Sequence, residues 1–189
     1  MRDVALSAGE ARLLKGFTFL TRKPLLVILN AGEADVADLA GAPARAGLAA
    51  YLGRAAVAVC PVCATLEEEI SRLAPADQAE FLRDLGLPDR ALDRVLHAAY
   101  DLLGLISFLT VGEDECRAWS IPAGTPAVRA AGTIHSDLEK GFIRAEVVEW
   151  QELLDAGSTA ACRQRGTLRL EGKEYVVQDG DVINVRFNV

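Results

Sequence analysis

Residues 105–148 read LISFLTVGEDECRAWSIPAGTPAVRAAGTIHSDLEKGFIRAEVV, and the chain closes on QDGDVINVRFNV at 178–189. Short apolar runs bounded by turn residues predict strands at 106–111, 116–121 and 142–148, then at 168–170, 175–177 and 182–187. Glu171-Gly172-Lys173 and Asp179-Gly180 supply hairpin turns between the last of these. Thr125-Pro126 reads as an N-cap followed by Pro at the first helical position. Six short strands with one or two short helices predict an α+β domain over 105–189.

Upstream the pattern is α/β. Ser7-Ala8-Gly9-Glu10 is a capping box that opens a helix reaching about Leu20, and Pro24 ends that stretch. Leu25–Leu29 is a continuous apolar run, the pattern of a strand enclosed on both faces, and Ala55–Cys60 is a second one. Between them, the Ala/Gly-rich segment 36–53 predicts a helix broken by loops. Thr65-Leu66-Glu67-Glu68 is a further capping box, opening a helix to Leu73. Two more helices are predicted at Pro75–Leu85 and Pro88–Leu103, closed by Gly86 and Gly104. In the second, Leu92, Val95, Leu96, Ala99 and Leu103 fall on one face. The change of pattern places a domain boundary between 104 and 105.

Composition narrows the function. The 189 residues carry a net charge of −7; residues 107–189 contribute −4 and the rest −3. Neither part is the basic module that sequence-independent nucleic-acid binding needs. The apolar runs are far too short to span a bilayer, and the N-terminal stretch places Asp3 and Glu10 where a signal peptide needs an apolar core, so the expected compartment is the cytoplasm and no membrane partner is expected. Four cysteines, at 60, 63, 116 and 162, are too few for a disulfide scaffold and read as reduced thiols.

The stretch His135-Ser-Asp-Leu-Glu-Lys-Gly-Phe-Ile-Arg-Ala-Glu146, with the two segments quoted above, closely resembles the TGS domain that closes the YchF family, also called Obg-like ATPases. Ser136 and Leu138 depart mildly from the family form. RKPLLVILN, followed by Ala31-Gly32-Glu33, is similar to the base-recognition strand of the same family's nucleotide domain. The resemblance implies the C-terminal part of a P-loop NTPase domain over 1–104, joined to a β-grasp, ubiquitin-like TGS domain over 105–189. It also implies ATP or GTP base-recognition loops at Asn30, Ala31 and Glu33 and at Cys63 and Ala64. Glu33 stands where GTP-specific relatives carry an Asp, a departure the family associates with ATP use. Ala31 and Cys63 replace a larger apolar residue and a Ser.

The same resemblance implies a partner role in translation, with ribosome or RNA bound through the TGS domain. Arg117, Arg129, Lys140 and Arg144 are the cations best placed by sequence for such a face. Phosphoryl transfer needs a glycine-rich phosphate loop with Lys and Ser/Thr, and no G-x-x-x-x-G-K-[ST] occurs. The nearest string, Gly166 to Lys173, has the wrong spacing and a hairpin context. The chain alone is therefore expected not to hydrolyse nucleotide, to bind ATP weakly or not at all, and to involve Mg2+ only within the intact family protein. No catalytic or metal-ligating residue is assigned. Two alternatives stand beside this reading. One is half of an ATPase completed by a missing N-terminal NTPase half. The other is a redox-responsive module built on Cys60-Pro-Val-Cys63, placed where a helix N-terminus lowers a thiol pKa. Oligomeric state is left open.

Overall fold

The elements separate into two units after Leu103. The computed structural model describes residues 4–112 and 114–188. The expected outer bounds at 1 and 189 lie outside the described residues.

The first unit opens with helix α1 (Ala8–Leu13), where Ser7 and Glu10 make the reciprocal capping-box bonds. It is shorter than expected: two single 3-10 turns, at Lys15–Phe17 and Leu20–Arg22, replace its second half. Strand β1 (Leu25–Asn30) follows, then a 3-10 segment Glu33–Gly41 and helix α2 (Ala42–Arg45). Strand β2 (Val57–Val62) pairs with β1 in parallel, Leu25 opposite Val57 through Asn30 opposite Val62. It runs beyond the expected end at Cys60 and takes in Pro61, as an edge strand allows. Helices α3 (Ala64–Arg72), α4 (Pro75–Asp84) and α5 (Ala91–Leu103) complete the unit.

Three sequence expectations are corrected here. The N-cap of α3 is Cys63, not Thr65, so no capping box forms. Glu67 instead reaches across to α5, accepting from the Ala91 N–H at 2.8 Å and pairing with Arg90. Strand β1 is not enclosed on both faces: Leu25 and Ile28 are 37% and 45% exposed. Helix α5 buries Ala91, Val95 and Ala98 against Cys60, Val62 and Leu26, while Leu92, Leu96 and Leu103 are half exposed. The helix is apolar around more than one face, and the small alanines are the side that approaches the sheet closely.

The second unit is a mixed five-stranded sheet. Its strands are β3 (Leu105–Val111), β4 (Cys116–Pro122), β5 (Phe142–Glu149), β6 (Arg169–Glu171) and β7 (Asp181–Phe187), in the order β4-β3-β7-β5-β6. The β3–β7 pair is parallel; the other neighbours are antiparallel. Residues 175–177 are not a strand but a single bridge, Val176 to Pro126. Helix α6 (Ala127–Ile134) buries Ala127, Ala130 and Ala131 with Phe108, Ile121, Phe142, Ala145, Val147 and Ile183. Its N-cap is Pro126; the Thr125 hydroxyl donates to the Pro122 carbonyl instead.

A short helix α7 (Ser136–Lys140) leads into β5, with the His135 imidazole Nδ1 accepting from the Asp137 N–H at 3.2 Å. Helices α8 (Trp150–Ala156) and α9 (Thr159–Arg165) pack Leu153, Ala156 and Cys162 on Leu109, Val148 and Val182. Because alternate strand residues face opposite ways, this is the other face of the sheet from α6. Sequence reading left this helical hairpin unassigned, although Gly157 and Gly166 sit in left-handed C-cap geometry (φ 75° for both), a legible stop signal.

Candidate nucleotide-base site

Parallel strands direct their C-terminal ends to one edge, where ligands of open α/β sheets bind. At that edge Asn30 ends β1 and Cys63 follows β2. The Ala31 N–H donates to the Val62 carbonyl at 2.7 Å, which carries the ladder one residue past the strand. The Asn30 Oδ1 accepts from the Ala64 N–H at 3.1 Å, satisfying a donor in the first turn of α3 that no N-cap side chain reaches. So the two loops expected from sequence are tied together by one side chain. With Oδ1 engaged, the Asn30 amide presents N–H donors, which match an acceptor such as a purine N7.

Of the other expected residues, Ala31 is half-buried beside Asn30, and Glu33 is exposed at the start of the 3-10 segment, its carboxylate without a partner among the described residues. The Cys63 side chain is buried with Val36 and Leu66, which leaves its backbone at the loop. Cys60 lies in a separate cluster with Val62 and Ala91. Burial pushes the Cys60 thiol up, and the nearby Arg94 only partly offsets this.

Sequence reading missed Asp35 and Arg45. A cavity of about 250 Å³ beside Asn30, Ala31 and Gly32 is lined by both. Arg45 bridges Asp35 at 2.8 Å and Asp38 at 2.7 Å, closing the crossover that follows β1. Its hydrogen bond, helped by the Gly41 N–H, holds the Asp38 carboxyl below the ordinary range. Asp38 breaks the 3-10 segment with non-helical backbone (φ −145°), so no helical periodicity in the sequence announces this pairing.

In the second unit, Arg117 stacks over the Trp119 ring at 4.3 Å. Arg129 pairs with Glu139 at 2.6 Å, and Lys140 lies 3.6 Å from Asp137. Arg144 is exposed on β5 without a partner among the described residues. Asp181 is 2% exposed and accepts from Tyr175 Oη and the Gln178 N–H, both at 2.8 Å, with Arg169 alongside at 3.3 Å. The Gly166–Lys173 string spans a helix C-cap and a strand–turn, not a strand–loop–helix. Among the described residues, no group of three His, Cys, Asp or Glu is arranged to hold a metal.

Residues 105–188 match the family model YchF-GTPase_C, described as protein of unknown function (DUF933). The whole chain is 45% identical over 188 residues to the ribosome-binding ATPase YchF of Bacillus subtilis (strain 168), and covers 51% of that protein. The chain belongs to the YchF family. Obg-like ATPase 1 of Caenorhabditis elegans is 37% identical over 190 residues, again with 48% of its length covered. The solved structure of the Schizosaccharomyces pombe YchF GTPase superposes with a TM-score of 0.78 at 30% identity, over 98% of this chain and 49% of that one. The chain thus spans about half the length of the relatives it matches, in their C-terminal region, and shares the family's α/β architecture with a mixed sheet.

Proposed function

We propose that this chain supplies the base-recognition edge and the TGS domain of a translation-associated, cytoplasmic YchF-type ATPase. Its first unit, to residue 104, is the rear of the nucleotide domain. Its second, from 105, is a β-grasp TGS domain that engages ribosome or RNA. The observation that carries the first half is the Asn30 Oδ1 bond to the Ala64 N–H, which joins both base loops at the strand ends. The parallel pair of first and last strands, with the β3–β4 hairpin on one side, antiparallel β5 and β6 on the other and α6 across one face, supports the β-grasp reading. The printed names of the relatives, ribosome-binding ATPase and Obg-like ATPase, support the rest.

The residues present fit a purine edge: Asn30 for N7, with backbone groups at Ala31, Cys63 and Ala64. None of them forms a phosphate cradle or an Mg2+ site, so no chemical step is assigned to the chain alone. One observation favours the second reading, half of a reconstituted ATPase. Leu25 and Ile28 of β1 and Leu92, Leu96 and Leu103 of α5 present apolar surface that the relatives' remaining half of the nucleotide domain would cover.

Isothermal titration with ATP and GTP, with and without Mg2+, tests this. Absent or millimolar binding is expected, because the phosphates find no partners. Micromolar, ATP-selective binding abolished by Asn30→Ala would overturn the assignment of a base edge without independent affinity.

A further inference from the structure

On the α8/α9 face of the sheet, β5 presents Arg144 and Glu146 and β7 presents Asn184 and Arg186 in direct register: Arg144 opposite Arg186, Glu146 opposite Asn184. Arg163 reaches in from α9. Glu146 Oε1 accepts from Arg163 at 2.6 Å and from Arg186 at 2.7 Å, while Oε2 takes the Asn184 amide at 3.3 Å. Two guanidiniums therefore share one carboxylate, and Arg144, opposite Arg186 on the same face, has no partner among the described residues. Like charges directly opposite on neighbouring strands destabilise a sheet. Arg144 adds a cation that no carboxylate among the described residues neutralises. The result is a local excess of positive charge on a part of the chain whose net charge is −4.

We infer that Arg144, Arg163 and Arg186 form a phosphate-backbone contact for RNA, with Glu146 as the clamp that aligns the guanidiniums of Arg163 and Arg186. This rests on the reading of the second unit as a ribosome- or RNA-engaging domain and names its contact site. Arg163 and Arg186 each keep 59% of the side chain exposed, against 11% for Glu146, so their remaining N–H donors face solvent. The planar guanidinium fork matches phosphate oxygens. The contact reads backbone and not bases, because Trp119 and Tyr175 already carry Arg117 and Arg169 on their rings. A protein partner fits less well: Arg144, Glu146, Arg163, Asn184 and Arg186 are all charged or polar, whereas protein interfaces centre on apolar and aromatic anchors. Of the four cations expected from sequence, only Arg144 belongs to this site; the others are engaged by Trp119, Glu139 and Asp137.

The test uses the full 189-residue chain, a labelled single-stranded RNA and its duplex followed by anisotropy, and co-sedimentation with ribosomes. Arg144→Ala and Arg186→Ala should each weaken RNA binding about threefold to tenfold regardless of sequence, and lower the salt slope by about one. Arg144→Lys should restore part of the loss. Arg117→Ala and Lys140→Ala should have no effect. Glu146→Gln should tighten binding, a gain that a purely structural clamp cannot produce. RNA binding that is indifferent to Arg144→Ala and Arg186→Ala would overturn the site and leave the TGS reading standing. Ribosome sedimentation without affinity for free RNA would move the contact to ribosomal protein and overturn the RNA assignment. Absence of both would remove the underlying reading as well.

Discussion

The two units of this chain bury their apolar residues in different ways. In the second, Phe108, Ala145 and Val147 are fully buried, and Ile121, Phe142 and Ile183 are nearly so, in one continuous cluster. In the first, the buried residues fall into separate small groups, while Phe17, Leu20, Leu25, Ile28, Leu92 and Leu96 face outward. The second unit carries its own core; the first carries strands and helices patterned for surface it does not itself supply. A chain can therefore hold a complete set of local signals and still lack the packing that gives them stability.

Both tryptophans, Trp119 and Trp150, lie in the second unit, so their fluorescence reports its unfolding, while circular dichroism reports both units. The largest effect should come from Phe108→Ala, which empties a fully buried ring position and should cost about 3–5 kcal/mol in the fluorescence transition. A loss under about 1 kcal/mol would show that the core is not the single packed unit described.

Next is Gly141→Ala. A methyl there would run into the Asn188 carbonyl, part of the backbone that closes β7 against β5, and overpacking of this kind costs about 1–3 kcal/mol. An unchanged denaturation midpoint would show that the C-terminal strand end yields freely.

The Glu146 clamp gives a pH signature. The Arg186 hydrogen bond holds its pKa below the ordinary glutamate value of 4.5, with Arg163 adding to this against the opposing effect of burial. A depressed folded pKa means stability that is present above the unfolded value and lost as pH falls through the folded one. The stability difference between wild type and Glu146→Gln should therefore be constant at neutral pH and shrink on acidification below the ordinary glutamate range. A difference that grows on acidification would contradict the clamp.

The smallest effect is expected on the exposed side of α5. Leu92→Ser and Leu96→Ser should change the circular-dichroism transition by no more than about 0.5 kcal/mol, because neither leaves a core. Losses of a core-like size would mean that this face is covered in solution, for example by a second copy, and would erase the contrast between the units.

Much of this contrast was legible early. The strands β3, β4, β5 and β7 and the helices α3, α4 and α5 lie within a few residues of where alternation, capping and glycine stops place them. The helical face of α5 was misread because Leu92, Leu96 and Leu103 obey the same periodicity as Ala91, Val95 and Ala98. Periodicity marks that a face is apolar, not which one a sheet accepts. The Thr65 capping box failed because the chain turned helical at Ala64, where Asn30 took over the cap from 34 residues away. The pairing of Arg45 with Asp35 and Asp38 and the burial of Asp181 depend on backbone turns that no short window of sequence records.

By itself, then, the sequence determined the type of most elements, a change of pattern near residue 104, the family resemblance, and the absence of a phosphate-loop motif in these residues. Each of these follows from local chemistry: φ/ψ preference, periodicity, and the identity of neighbouring side chains. Tertiary structure alone decided which apolar faces are covered, that Asn30 bonds the Ala64 backbone, that Cys60 and Cys63 enter separate clusters, and that Arg163 and Arg186 converge on Glu146 beside Arg144. Those are contacts between residues far apart in the chain, and only strand register and the packing of helices on the sheets bring them within hydrogen-bond distance.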